Sequence, residues 1–403
     1  MTSLVDIIQK KATSYFSKIQ AIRQHLHAHP ELSFQEIETG KYIASVLDEI
    51  GVEHTTGWCT NGIVAIIKGE KSTSDKVTML RADIDALPIT EENDVSYKSK
   101  NEGIMHACGH DVHTSSLLGT IHILNDLKSS FSGTVKCIFQ PGEEKLPGGA
   151  SIMIKEGVLE NPAPQSTIGQ HVHPPLEAGK VGIRPGTYMA SADEIRLTVK
   201  GKGGHAALPH ECVDTILMSA KILTALQDIV ARNANPTVPS VLSFGKINST
   251  GGATNIIPDE VKIEGTFRTM DEAWRMMAHK KITQIAQLTA ESMGGSCEVD
   301  IMVGYPCLYN EPELTSNVKA SMIEYLGEEN VIDLPIRMTA EDFAYYSQKT
   351  DACFYRLGTG NIAQDITSPV HTPTFNVDEH ALEVGMGLMA YLALNELEPK
   401  NQS

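Results

Sequence analysis

The stretch Met105-His106-Ala107-Cys108-Gly109-His110-Asp111-Val112-His113 carries three imidazoles, a thiol and a carboxylate within nine residues. A fold has no need of so many ligand-capable groups in one place, and burying them is costly unless something compensates. The stretch reads as half of a metal centre, so the rest of the chain is searched for the other half. Glu143 and Glu144 stand in Gln140-Pro141-Gly142-Glu143-Glu144, after a strand-like run. His171 ends the run from Ser166, and His371 lies in Ser368-Pro369-Val370-His371-Thr372-Pro373. Cys108, His110, Glu144, His171 and His371 form a ligand set of mixed sulfur, nitrogen and oxygen type. Its softness favours zinc, and manganese or cobalt would also be accepted.

The Glu143-Glu144 pair is the most informative chemically. Adjacent carboxylates repel, and one would ordinarily rise in pKa. With Glu144 on a metal, Glu143 is free to take a proton from water polarised there and to pass it to a leaving amine. Each piece has an ordinary reading as well. A lone buried cysteine is usually inert packing, and a Glu-Glu pair is usually a solvated surface. His173, followed by Pro174-Pro175, reads as a turn residue and is left out, while His106, Asp111 and His113 read as supporting groups. The combination, gathered at strand ends where open α/β sheets build their sites, is what favours the metal.

The elements that must position these groups follow from periodicity. Residues 3–27 and 36–50 have helical spacing, the second stopped by Gly51. Short apolar runs at 63–67, 77–80, 134–139 and 166–171 lack alternation, as strands covered on both faces do. Helices are expected over 114–127 and 149–156. Strand and helix alternate to about residue 185, which predicts a mostly parallel sheet. From Asp193 the pattern changes to strict alternation at Ile195, Leu197 and Val199. The order there is β-α-β-β-α-β, with strands at 193–199, 238–247, 261–269 and 297–303 and helices at 213–230 and 274–293, the ferredoxin-like arrangement. The α/β pattern resumes with a helix at 313–326, a strand at 352–358 and a closing helix at 378–397. The expected organisation is a catalytic domain of residues 1–186 and 304–403 with an inserted α+β domain at 187–303.

The inserted segment has two further candidate places. Gly201-Lys202-Gly203-Gly204-His205 presents a histidine from a loop whose glycines permit close backbone approach, or is a simple turn. Arg268 near a strand end either clamps a carboxylate bidentately or makes a surface ion pair.

Bulk properties set outer bounds. The formal net charge of −17 argues against nucleic acid or an anionic membrane as partner. The 7 cysteines are scattered, odd in number and without Cys-x-x-Cys spacing, which suits free thiols in a reducing compartment. No signal-peptide pattern or apolar run of membrane-spanning length is seen, and a cytoplasmic protein is expected.

The chain resembles the M20 metallopeptidase family, in its aminoacylase/amidohydrolase branch. The resemblance rests on His27-Ala28-His29-Pro30-Glu31-Leu32-Ser33, Arg81-Ala82-Asp83-Ile84-Asp85-Ala86-Leu87-Pro88-Ile89, residues 105–113, 139–144 and 169–171, Gly204 to His210, Asn255 to Asp259, Thr339-Ala340-Glu341-Asp342-Phe343 and residues 371–375, all in family order. It implies two divalent metals, held by Cys108, His110, Glu144, His171 and His371, with Glu143 as general base. It also implies that Asp83 and Asp85 support the site, one of them orienting a ligand. His205 would help bind the substrate carbonyl oxygen, often across a dimer interface, and Asn255 and Arg268 would contact substrate. The inserted domain would be a lid and the surface of a homodimer. The activity implied is hydrolysis of N-acyl-L-amino acids, small-molecule amides. A dipeptidase or aminopeptidase on the same scaffold and a non-catalytic metal-binding protein are the rival readings. One departure is Lys145-Leu146-Pro147, where many relatives have a short glycine-rich step.

Overall fold

The computed structural model describes residues 3–398. These fall into two compact units. One takes the chain up to Gly186, Tyr309–Pro335 and the chain from Asp342 on; the other is Thr187–Leu308 with Ile336–Glu341.

The first unit is built on an eight-stranded sheet. Its strands include β1 Glu53–Trp58, β2 Gly62–Lys68, β3 Val77–Asp83, β4 Thr134–Gln140 and β5 Ser166–Glu177. In space the order is β1, β2, β4, β3, β5, then Asp351–Gly360, Val181–Ile183 and Val331–Asp333. The central ladders, β4 with β3, β3 with β5 and β5 with Asp351–Gly360, are parallel. This is the mostly parallel sheet expected from the sequence. Every residue of β3 is buried, which explains why its opening residues 77–80 show no alternation. β1 was not anticipated. It is an antiparallel edge strand, mostly exposed, and carries no apolar signal.

Three helices matter most for the site. α1 Leu4–Ala28 opens with a capping box: Ser3 Oγ accepts from the Asp6 N–H, and the Asp6 carboxylate accepts from the Ser3 N–H. Its apolar stripe buries Ile8, Ala12, Ile19, Ile22 and Leu26. α2 Ile37–Ile50 ends at Gly51 with φ 76°. α3 His110–Asp126 starts earlier than its apolar spacing suggested, inside the ligand-rich stretch itself, because Gly109 turns the chain there. α3 packs with α1 and with Ala381–Leu397 around one core that includes Leu117, Ile121, Met386 and Leu388.

The second unit has a four-stranded antiparallel sheet, in the order Ser240–Ser249, Glu260–Thr269, Asp193–Lys200, Ser296–Val303. Its inward residues alternate: Ile195, Leu197 and Val199 are buried against Ile222, Leu226, Ala278 and Ile282 of the helices Thr215–Asp228 and Glu272–Glu291. The unit reaches past residue 303 because the following residues are bonded to it. The Gly304 N–H donates to Asp193 at 3.0 Å and the Ala192 N–H to the Tyr305 carbonyl at 3.0 Å. Residues 336–341 are held likewise: the Arg337 N–H donates to the Tyr188 carbonyl at 2.9 Å, and Arg268 donates to the Met338 carbonyl at 3.1 Å.

Candidate metal centre

The turn at Gly109 makes the site possible. Its φ is +83°, and a Cβ there would lie 2.5 Å from a Val172 methyl. Only glycine suits both constraints. The turn carries Cys108 and His110 to one place, where both converge with His171: the candidate donor atoms of the three lie within 4.8 Å of one another. Cys108 also groups with Glu144 and His371, and His110 with Glu143 and Glu144. The thiol sulfur is 3.4 Å from His171 Nε2 and 3.3 Å from His371 Nε2, and the latter is 3.1 Å from Glu144 Oε1. The His371 N–H donates to the Ala107 carbonyl at 2.8 Å, which ties its loop to the cysteine stretch. All five expected ligands and Glu143 therefore come together.

The hydrogen bonds decide which nitrogens keep a lone pair. His110 Nδ1 faces Asp85 Oδ1 at 3.1 Å, while its buried Nε2 has no hydrogen-bond partner among the described residues. His171 donates from Nδ1 to the Val172 carbonyl at 2.8 Å, so its Nε2 faces the thiol as an acceptor. His113 is used up: Nδ1 bonds Asp83 Oδ1 at 2.6 Å and Nε2 accepts from the Val172 N–H at 2.8 Å. His106 is buried with neither nitrogen hydrogen-bonded among the described residues, and burial pushes it down to about 4. Asp111 faces away from the cluster, paired with Arg23 at 2.8 Å and His27 at 2.8 Å.

The charges ask for a cation. Burial pushes the Cys108 thiol well above its ordinary value, and Glu144, Glu143 and Asp83 push it the same way. Burial lowers His110, but Asp83, Asp85 and Glu144 override it and raise it to about 10. His171 is driven well below its ordinary value by burial and by Arg356. A neutral imidazole, an orphaned buried nitrogen and a thiol among carboxylates are the donors a divalent ion takes. The groups present fit two such ions.

Supporting groups stand behind the donors. Asp85 Oδ2 accepts from Ser33 Oγ at 2.6 Å and from the Glu144 N–H at 3.0 Å, so one carboxylate holds both His110 and the Glu144 backbone. Asp83 pairs with Arg81, which reaches Asp342 at 2.6 Å; Asp342 accepts from Gln140 at 2.7 Å and from the Ala150 N–H at 2.9 Å. Arg81, Asp342, Ser33 and Glu36 were given no role from the sequence. Arg81 had a readable signal: a charge two residues before Asp83 in an apolar strand puts both on one face. His171 lies within β5 rather than at its end, because the ladder with Asp351–Gly360 runs on past it.

The remaining candidates belong to the second unit. His205 pairs with Ile256 in a two-residue ladder, and the Ala206 N–H donates to the Asn255 carbonyl at 3.0 Å, which brings His205 and Asn255 together. The exposed His205 ring accepts at Nδ1 from the Ala207 N–H at 3.1 Å, so Nε2 carries the proton. Arg268 lies in the strand Glu260–Thr269, opposite Val241.

Fold and donors together define a hydrolase scaffold with a two-metal site. The chain belongs to peptidase family M20/M25/M40, whose sequence profile matches residues 79–395. It is 39% identical to N-acetyl-L-cysteine deacetylase of Bacillus subtilis over 90% of this chain and 84% of that protein. It is 37% identical to thermostable carboxypeptidase 2 of Saccharolobus solfataricus over 97% and 98%. Among solved structures, Bacillus subtilis YXEP protein, described as a dinuclear metal binding peptidase from the M20 family, superposes with a TM-score of 0.83 at 33% identity, covering 96% of this chain and 99% of that one.

Proposed function

We propose that this enzyme hydrolyses the amide bond of N-acyl-L-amino acids, releasing a carboxylate and a free amino acid. The observation that carries the reading is a second buried carboxylate beside the donor cluster. Glu143 Oε2 is 4.0 Å from His110 Nε2, and its Oε1 faces the Asp342 N–H at 3.4 Å. Cys108, His110, Glu144, His171 and His371 would hold two divalent ions, which when bound supply Lewis acidity toward the acyl carbonyl and water. Zinc suits the thiol and imidazoles best, and manganese or cobalt also fit. Glu143 accepts the proton of the attacking water and returns it to the departing amine. Asp85 orients His110, and Asp83 anchors His113 behind it. His205, with its proton on Nε2, donates to the oxyanion, and Arg268 or Asn255 holds the amino-acid carboxylate.

The inserted unit serves in this reading as lid and dimer surface. In support, it exposes Ile216, Leu217, Val241, Ile247 and Ile256. All seven cysteines are unpaired, which suits a cytoplasmic location. No helix among the described residues is long and apolar enough to cross a membrane. The carboxypeptidase relative favours a peptidase as second reading. Acetyl-methionine and Met-Ala separate the two. Turnover of acetyl-methionine with little of Met-Ala is expected; the reverse preference would make this a peptidase.

A further inference from the structure

Between α1 and α2 runs Glu31-Leu32-Ser33-Phe34-Gln35-Glu36, a segment with no assigned role. It forms a parallel bridge, Leu32 with Ala86, just past the end of β3. It also reaches the turn that carries Glu143 from both sides. Glu36 Oε1 accepts from the Gly142 N–H at 2.8 Å. The Phe34 ring lies so close to Gly142 that a Cβ there would sit 2.3 Å from it. Ser33 Oγ donates to Asp85 Oδ2, the same oxygen that accepts from the Glu144 N–H. Gly142 and Glu144 are the chain neighbours of Glu143. The segment thus fixes one directly and the other through Asp85.

The segment is itself pinned. The Ala86 N–H donates to the Glu31 carbonyl at 2.8 Å, and the Glu31 carboxylate accepts from the N–H groups of Glu38 and Thr39 at 3.2 and 2.8 Å. Phe34 holds φ at 66°, a left-handed backbone that a phenylalanine rarely adopts. Glu36 is 0% exposed; its carboxylate accepts from the Gly142 N–H, also meets the backbone N–H groups of Phe34 and of Glu36 itself, and has a longer 3.4 Å contact from Asn61. A buried carboxylate given over to backbone N–H groups, two residues after a left-handed one, is expensive for a connecting loop. Its return is the placement of a side chain whose reach to water must be right to a fraction of an ångström.

We propose that residues 31–36 form a positioning strap for the general base, with Glu36 as the positioning residue that sets Glu143 by holding the Gly142 N–H. The proposal rests on the reading of Glu143 as the base.

The test is steady-state hydrolysis of acetyl-methionine by the full-length, metal-loaded wild type and by Glu36→Ala and Glu36→Gln, with bound metal and melting temperature measured on each. Glu36→Ala should lose about 10- to 100-fold in kcat, with KM within about twofold and both metals retained. Glu36→Gln, whose amide oxygen can accept the same N–H, should recover to within about threefold of wild type. An alanine variant with wild-type kcat overturns the strap, as do a glutamine variant no better than alanine and a rate loss that tracks lost metal or raised KM. Should Glu36→Ala not fold, Ser33→Ala takes its place. It should lower kcat several-fold at unchanged KM, and a wild-type kcat would overturn the proposal. An inactive wild type would instead sink the hydrolase reading along with it, whereas active wild type with unaffected variants sinks the strap alone.

Discussion

Each unit buries a knot of charged and imidazole groups, and the two knots differ in how completely they are bonded. In the second unit, Asp193 is saturated. Its Oδ1 accepts from Arg275 Nη2 and the Gly304 N–H, and its Oδ2 accepts from Arg275 Nε at 2.9 Å and faces His279 Nε2 at 2.7 Å. Each Asp193 oxygen thus has two partners. In the first unit Asp83, Asp85 and Asp342 behind the cluster are equally well paired, but the front row is not. Among the described residues His110 Nε2 has no hydrogen bond, and the Cys108 sulfur faces two imidazole nitrogens. Burial alone does not separate the two knots. Under-bonded ligand atoms grouped within reach of one another do, since a structural network that leaves them costs stability without return.

The comparison can be broken most forcefully at Glu143. Glu143→Gln should lower kcat by about 10²- to 10⁴-fold with metal content and melting temperature unchanged. A loss of only a few-fold would make Glu143 one more supporting group.

The opposite behaviour is expected at the second knot. Asp193→Asn should cost about 3–5 kcal/mol in urea unfolding, because it removes the fully buried carboxylate facing Arg275 and leaves that guanidinium only the part-exposed Glu272, while bound metal stays the same. Burial works to raise the Asp193 carboxyl, but Arg275 and His279 hold it below its usual 3.8. The sign follows from that: its contribution is complete above pH about 4 and is lost as pH falls through the lower folded value. Wild type should therefore lose this part of its stability below pH 4, and the variant should lack that dependence. A variant as stable as wild type at pH 7 would remove the contrast.

A small effect on folding is also expected at Cys108. Cys108→Ser should weaken metal retention clearly yet change unfolding stability by less than about 1 kcal/mol. Equal loss of both would place Cys108 with the structural cysteines.

What could be read from the sequence follows the same divide. Cys108, His110, Glu143, Glu144 and His371 were legible because their chemistry is dense, or stands in loops where a fold would not need it. The alternation at Ile195, Leu197 and Val199 was legible because one face of that sheet is covered and the other is not. Asp193, Arg275 and His279 were not, since the partners are 82 and 86 residues apart and each looks like a surface residue alone. Ser33 and Glu36 were visible as text without a role, because their effect passes through Asp85 and a backbone N–H. β1 was missed because an exposed edge strand carries no apolar pattern.

The central claim is that the unsatisfied donors of the first unit are a two-metal hydrolytic site. It is tested most directly by stripping the enzyme with a chelator, verifying metal removal by elemental analysis, and following acetyl-methionine hydrolysis as divalent metal is titrated back. The account predicts no turnover in the stripped enzyme and recovery that saturates at two ions per chain. Full turnover by protein verified to be metal-free would contradict it.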